Sequence, residues 1–506
     1  MQNVGEELKL KDEKIKNLEC EIERLKDLFL LLKREKYGSK SERAETIEDQ
    51  LLFNEIEQES LSAPEEKQTI TYTRKKGRGQ KKLFPDEFER EEIIIDLPEN
   101  EKTCPHDGTK LKEIGFDRSE KLKSYPARHI VSIIMTKKYA CPCCELHLAQ
   151  AKTHSILPGT IATPEILSFI IFSKFFQSLP LYRLEELYKL YGVELKRGTM
   201  ARWLIQVSEK LIPIWNVLEE KAIESEYMSI DATYVQVLKE KGRSPEQKSF
   251  MWVRGSPERG IVLFDYDPSG GGAVAKKLVT GFKGALQADA HRGYHAIERK
   301  EILLLGCMMH ARRRFHKAWL LGKKKPGIAS EALRAIQFLY DKEEEYKLKR
   351  LTPSERKEKR DQEVGPSFLE LKKWCGWQLE KVPRQSPTAN ALNYFINEYT
   401  ELTAFLKNGR YEMDNGWVER QIKRFAIGRK NWMFSDTVDG AKGSSVLYSL
   451  TLTAKLNGKD PFKAMTEILT KLPHAKTIDD YEKLTEILLS PVNPLSCLKK
   501  EGALIH

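Results

Sequence analysis

At 506 residues, with 85 Lys and Arg against 74 Asp and Glu, the chain carries a formal charge of +11 and a pI near 9.0. That length exceeds one ordinary core and predicts roughly three or four units, and the unevenly placed positive charge favours nucleic acid or anionic lipid as partner. A membrane span is disfavoured, since the longest apolar run, Ile166 to Phe176, is broken by Ser168, Ser173 and Lys174 and is too short to cross a bilayer, and the charged start MQNVGEELKLKDEK has no apolar signal region, so the expected location is cytoplasmic, with no membrane partner.

Residues 1–45 read as a coiled coil. Leu8, Ile15, Leu18, Ile22, Leu25, Phe29 and Leu32 recur at alternating three- and four-residue steps, with Lys11 the polar exception. The seam predicts a homo-oligomer; the alternative is one amphipathic helix packed on its own protein. Residues 46–90 read as an acidic and then basic linker. It contains RKKGRGQKK, Arg74 to Lys82, which has too few apolar residues for a core and can lie along phosphates.

Residues 91–154 form short β-type runs around four of the eight cysteines, Cys104, Cys141, Cys143 and Cys144. Such crowding without a secretion signal favours metal over disulfides. Cys141 and Cys144 make a C-x2-C half-site for structural zinc, a metal that takes four nitrogen or sulfur ligands. Cys104 with His106 completes the set; Cys104 with Asp107, or Cys143 as filler, are the alternatives, and a degenerate knuckle folding without metal is the rival. Cys20, Cys307, Cys375 and Cys497 are scattered and read as structural or incidental.

Residues 155–222 are helical, opening at Thr163-Pro164, where Thr163 can cap and Pro164 suits the first turn. Helix Leu181 to Tyr191, a turn at Gly192 and helix Gly198 to Leu211 predict a helix-turn-helix with Leu184, Leu187, Val193, Leu195, Met200 and Trp203 as its small core. Lys196, Arg197 and Arg202 then sit near the start of the second helix, where DNA is met. A plain helical hairpin is the alternative.

Residues 223–320 change to strands alternating with helices. MSIDATYVQV, SFMWVRG and IVLFDYD predict an antiparallel meander. A helix over Ala273 to Thr280, strand GALQADA, a helix around Tyr294 to Arg299, strand ILLLGCMM and a helix opening near His310 follow. Residues 321–410 are helical and highly charged, and DKEEEYKLKRLTPSERKEKRDQE reads as a solvated excursion. Residues 411–470 resume a helical pattern from Trp417, and residues 471–506 give no clear signal.

An ionised carboxylate inside an apolar strand is costly without compensation, and Asp231 lies inside the first strand of this region. Asp289 ends the fourth. In a β-β-β-α-β arrangement those two strands are neighbours, so the two acids can face each other. Glu419, on a later helix within DNGWVERQIKRFAIGRKNW, then completes three carboxylates around two divalent metals about 3.5–4 Å apart. Such hard donors take Mg2+ or Mn2+. Individually the acids read as a strand-edge residue, a helix cap and an ion-pair partner; together they fit a ribonuclease-H-like nuclease core. Asp265 and Asp267 are decoys, and Asp414 with Asn415 suits a helix cap. Val418, Ile422 and Phe425 face the core. HARRRF places His310 near the metals and offers Arg312 and Arg313 to DNA, while Lys423, Arg424, Arg429 and Lys430, with Trp417 and Trp432 interleaved, read as a grip on the cut strand.

From the seam through KYGSKSER, the knuckles, ILPGTIATPEIL, SIDATYVQV, LQADAHRGY, GCMMHARRRF and DNGWVERQIKRFAIGRKNW to GAKGSSVLYSL, the chain resembles the insertion-sequence-66 family of D-D-E transposases. CPHDG departs from the family by lacking a second cysteine. The resemblance implies a ribonuclease-H-like core with Asp231, Asp289 and Glu419 as its metal triad and a helical insertion before the glutamate. It also implies binding of double-stranded DNA at terminal inverted repeats and at a target, and small accessory proteins. The fold expected is therefore multidomain α/β: coiled coil, zinc-knuckle-like β domain and helix-turn-helix ahead of a mixed-sheet catalytic core. The function expected is strand cleavage and joining in the bacterial nucleoid; the alternative is a DNA-binding derivative without catalysis.

Overall fold

A computed structural model describes residues 155–490, apart from 290–293, 295, 298 and 299, and two short strands ahead of them. Those strands, β1 (Lys138–Ala140) and β2 (Leu148–Gln150), pair antiparallel within a unit of its own, Ser39–Lys152. The heptad seam, the 46–90 linker and the zinc ligands Cys104, His106, Cys141 and Cys144 lie outside the described residues.

In the other unit, α1 (Pro164–Ile171) starts where Thr163 Oγ1 accepts from Ile166 N at 3.4 Å and Pro164 fills the first turn. α2 (Leu181–Leu190), a left-handed Gly192 (φ +76°) and α3 (Arg197–Ile223) form the expected hairpin over buried Leu184, Leu195, Met200 and Trp203. Two details differ from expectation. Val193 is 40 % exposed, because it serves the turn with its backbone, donating to Tyr188 O at 3.0 Å. α3 continues well past Leu211, because Ile214, Leu218 and Ala222 extend its buried stripe.

The sheet is β3 (Tyr227–Lys239), β4 (Lys248–Ser256), β5 (Ile261–Asp267), β6 (Gly284–Gln287) and β7 (Ile302–Leu305), in the order β5-β4-β3-β6-β7. The first three strands form the predicted antiparallel meander; β3–β6 and β6–β7 are parallel, with α4 (Gly272–Leu278) between β5 and β6. The helix expected around Tyr294 to Arg299 falls largely outside the described residues.

α5 (Met308–Leu321), α6 (Ile328–Leu348), α7 (Pro353–Lys359), α8 (Gly365–Leu379), α9 (Pro387–Asn397) and α10 (Tyr399–Thr403) then enclose a core of their own, around Phe315, Ile336, Phe368, Phe395 and Phe405. This excursion is not merely solvated. Glu343 and Arg360 are buried: Arg360 Nε and Nη2 donate to Glu343 at 2.7 and 2.8 Å and its guanidinium also donates to the carbonyls of Phe405, Asn408 and Tyr411. Arg356 adds two more bonds to Glu343, from Nε at 3.1 Å and Nη2 at 2.6 Å. A charge-rich segment can turn one charged stripe inward when the opposite charges there meet and every donor finds an acceptor.

The chain returns through α11 (Gly416–Trp432), β8 (Ser435–Thr437), which pairs with the far end of β3, and α12 (Val438–Leu456). α12 is buried on nearly every side and packs on β5, a sheet edge that would otherwise expose free backbone groups. Its mid-helix hydroxyls answer that edge: Phe264 N donates to Ser449 Oγ at 2.8 Å and Val262 N to Thr453 Oγ1 at 3.1 Å. α13 (Pro461–Lys471) and α14 (Ile478–Leu489) close the unit. Residues 471–490 thus carry more structure than their pattern suggested: Thr477 and Asp480 form a capping box, and Leu484 and Leu488 join the main core.

Candidate active site

Three elements bring three carboxylates together. β3 and β6 pair in parallel register, Tyr227 with Ala285, Met228 with Leu286 and Ser229 with Gln287. The same register carried forward sets Asp231 beside Asp289, just beyond the last paired residues. Asp231 is half-buried, and its Oδ1 accepts from Ala232 N at 2.7 Å. Burial raises its pKa to about 8, with the Asp289 carboxylate and then Glu419 adding to the rise, while the Ala232 N–H and Arg313 oppose it. A group that responds to both other acids shares one electrostatic site with them.

Glu419 stands in the first turn of α11, whose start is fastened to the sheet. Asn415 Nδ2 donates to Ile230 O at 3.0 Å, next to Asp231, and Asn415 N donates to Cys307 Sγ at 3.2 Å. Asn415 is therefore not a side-chain cap; Asp414 takes that task in part, its Oδ1 accepting from Gly416 N at 2.8 Å. Val418 and Phe425 are buried and Ile422 packs beside them, as their spacing predicts. Gly428 lets α11 approach α12, since a Cβ there would collide with the Tyr448 hydroxyl. Gly306 N donates to Glu401 O at 2.8 Å and Met308 N to Met413 O at 3.1 Å, tying the end of β7 to the segments leading into α11.

Around Glu419 lie Arg313 Nη2 at 3.4 Å from Oε2, His310 Nδ1 at 3.7 Å from Oε1 and Cys307 Sγ at 3.9 Å from Oε1. Burial raises the Glu419 pKa, against the pull of Arg313. Burial, with Arg313 and Arg314 behind it, lowers His310 to about 4, so its imidazole is neutral near pH 7. Cys307, read from sequence as structural or incidental, is buried against the site. Its C-x2-H spacing to His310 across the start of a helix was the available signal, since residues three apart share a helix face.

The remaining candidates divide. Lys196, Arg197 and Arg202 are exposed, with Lys196 reaching Glu194 at 3.2 Å and Arg197 reaching Glu185 at 3.9 Å. Arg312 is exposed, whereas Arg314 lies 4.1 Å from the Tyr394 ring centre. On α11, Lys430 is exposed and Lys423 and Arg424 are half-buried, Arg424 beside the Phe176 ring. Arg429 ties α11 to β3, donating to Tyr234 O and to Thr233 Oγ1. Trp417 and Trp432 pack against the main core. The decoy Asp265 pairs with buried Arg254 at 3.0 Å, and Asp267 accepts from Ser269 N.

Residues 159–443 match the family described as "Transposase IS66 family". Residues 101–145, which include Cys104, His106, Cys141 and Cys144, match "zinc-finger binding domain of transposase IS66", and residues 24–93 match "Transposase C of IS166 homeodomain". Among curated proteins the chain is similar to the uncharacterized proteins y4hP and y4qI of Sinorhizobium fredii. It is 26 % identical to the first (90 % of this chain, 86 % of that one) and 28 % to the second (92 % and 88 %).

Proposed function

Since the chain belongs to the IS66 family of transposases, we propose that it cuts and joins DNA strands at the terminal inverted repeats of an insertion sequence, with Asp231, Asp289 and Glu419 as its catalytic acids. The observation that carries this reading is the β3–β6 register that sets Asp231 beside Asp289, with α11, which bears Glu419, fastened next to Asp231 by Asn415 Nδ2 donating to Ile230 O. The strand order, three antiparallel strands followed by two parallel ones, supports a ribonuclease-H-like core.

The donor set fits hard divalent cations. Asp231, Asp289 and Glu419 share one half-buried place in which Arg313 touches Glu419, and burial first, then the neighbouring carboxylates, raise the pKa values of Asp231 and Glu419, a cost that a bound cation would offset. Asp231, Asp289 and Glu419 would hold Mg2+ or Mn2+, which when bound supplies activation of water or a 3′-hydroxyl and charge stabilisation at the leaving oxygen. The chain's own groups do the rest. Asp231 holds a proton on its carboxyl at neutral pH while no cation is near and releases it when one binds. Arg313 rests on Glu419 and is exposed enough to turn to a phosphate. Arg429, Asn415 and the buried face of α11 hold Glu419 in register with the sheet. Lys196, Arg197 and Arg202 on the hairpin, with Arg312, Lys423, Arg424 and Lys430, supply the sequence-independent part of DNA affinity. Residues 101–145 supply a structural zinc unit, and the N-terminal seam pairs copies of the chain.

Strand-transfer assays test the reading. Asp231→Asn, Asp289→Asn and Glu419→Gln should each abolish cleavage of end-containing DNA while leaving its binding intact. Cleavage by all three variants would remove the triad assignment; binding without cleavage by the unaltered chain would favour a DNA-binding derivative.

A further inference from the structure

A second donor set converges on the same glutamate. Cys307 Sγ, His310 Nδ1 and a Glu419 oxygen lie within 4.8 Å of one another, and among the described residues no other three ligand-type side chains come so close. We propose that these atoms form a binding site for a soft divalent cation of the zinc class, distinct from the hard-cation positions of the acid triad.

The geometry is close to that of a ligated site. Tetrahedral zinc, bound at about 2.3 Å to sulfur and about 2.0–2.2 Å to nitrogen and oxygen, holds its ligand atoms about 3.3–3.6 Å apart. Here Sγ and Nδ1 stand 3.9 and 3.7 Å from Glu419 Oε1, and all three atoms lie within 4.8 Å of one another, so a contraction of at most about 1.5 Å along any edge closes the set. Nδ1 of His310 is buried and has no hydrogen-bond partner, and it offers a lone pair to a metal once the ring proton moves to Nε2 and Arg313, 3.4 Å from that nitrogen, turns aside. Asn415 N already donates to Cys307 Sγ at 3.2 Å, the kind of outer bond that steadies a metal-bound thiolate. Arg313 takes the other glutamate oxygen, Oε2, and leaves Oε1 to the cluster. On binding, the thiol proton passes to solvent and water completes the fourth position.

An occupied site draws Glu419 away from Asp231 and Asp289, so zinc would hold strand cleavage off. That consequence rests on the function proposed above; the site itself does not.

Cobalt(II) and zinc, added to the full-length chain, test the two parts separately. Any metal held at the cysteine-rich segment contributes equally to the unaltered chain and to Cys307→Ser and His310→Gln, so the difference isolates this site. Each variant should bind one zinc per chain fewer, or bind it at least tenfold more weakly, and Cys307→Ser should lose the share of thiolate-to-cobalt absorption due to one cysteine. If Cys307→Ser does not fold, as judged by circular dichroism, His310→Gln decides alone. Unchanged metal content and affinity in the folded variants would overturn the site. Separately, the ratio of magnesium-dependent cleavage with and without zinc should be low for the unaltered chain and nearer one for the variants. Equal ratios together with lost metal binding would retain the site and remove its control of catalysis.

Discussion

Two places in this protein put charge out of the reach of water, and they do it in opposite ways. In the helical excursion, burial works to raise the Glu343 pKa, but Arg360 and Arg356 more than reverse it and the carboxylate ends below its ordinary range. Beside the sheet, burial raises Asp231 and two further carboxylates push the same way. With Glu412 on Arg356 at 3.2 Å, the first cluster is two glutamates against two arginines, the signature of a structural device. The second carries more negative charge than its surroundings neutralise, the signature of a place made for cations.

The largest difference should appear when each cluster loses its key residue. Asp231→Asn should lower strand cleavage by more than about 10³-fold, the loss of several kcal/mol of transition-state stabilisation, while the fold stays about as stable near pH 7, since the amide has the shape of the protonated carboxyl it replaces. Arg360→Met should do the reverse, costing about 3–5 kcal/mol in denaturant titrations by stranding Glu343 in the interior. If both substitutions damaged stability equally, the contrast between the clusters would fail.

Acidity should separate them next. The folded Asp231 pKa lies above its unfolded value, so its contribution to stability is complete in acid and is lost as pH rises towards about 8. Glu343 has a depressed folded pKa, so its contribution is present above the ordinary carboxylate range and is lost as pH falls through that depressed value. Hydrogen exchange on the metal-free protein, read separately in β3 and α6, should therefore show opposite trends with pH. Mg2+ or Mn2+ should flatten the β3 trend and leave α6 unchanged.

Smaller effects sharpen the positioning argument. Gly428→Ala should cost about 1–3 kcal/mol by forcing α11 away from Tyr448, and it should slow cleavage because Glu419 rides on that helix. Replacing Lys196, Arg197 or Arg202 by Gln should leave cleavage chemistry intact. Each replacement should reduce the salt slope of DNA binding by about 0.9 for every phosphate that the side chain neutralises.

The strands were legible because strand periodicity is local. That the strands of Asp231 and Asp289 lie side by side came from taking the region as one β-β-β-α-β sheet, an order the structure has; the role of the two acids belongs to the function proposed. The core face of α11 was legible for the same reason, in Val418, Ile422 and Phe425. What escaped depends on distant segments meeting. Nothing local ties Cys307 to Glu419, a contact spanning 112 residues. The inward face of Glu343 and Arg360 looks, residue by residue, like any solvated charge run, and only tertiary packing distinguishes it. α14 is different: its capping box and its pair of leucines are local signals, present in the chain, that a search for longer periodicity passes over.

Met308 N donates to Met413 O, so the chain leaves the sheet domain and returns to it at a single point. The five helices between these residues after α5 close a loop whose ends already touch, and the entropy of such a loop grows only slowly with its length. Its exposed turns can therefore change length without moving the acids, provided that the bond from Gly306 N to Glu401 O at the end of β7 is kept. Those turns are the natural place to graft a reporter or a targeting domain.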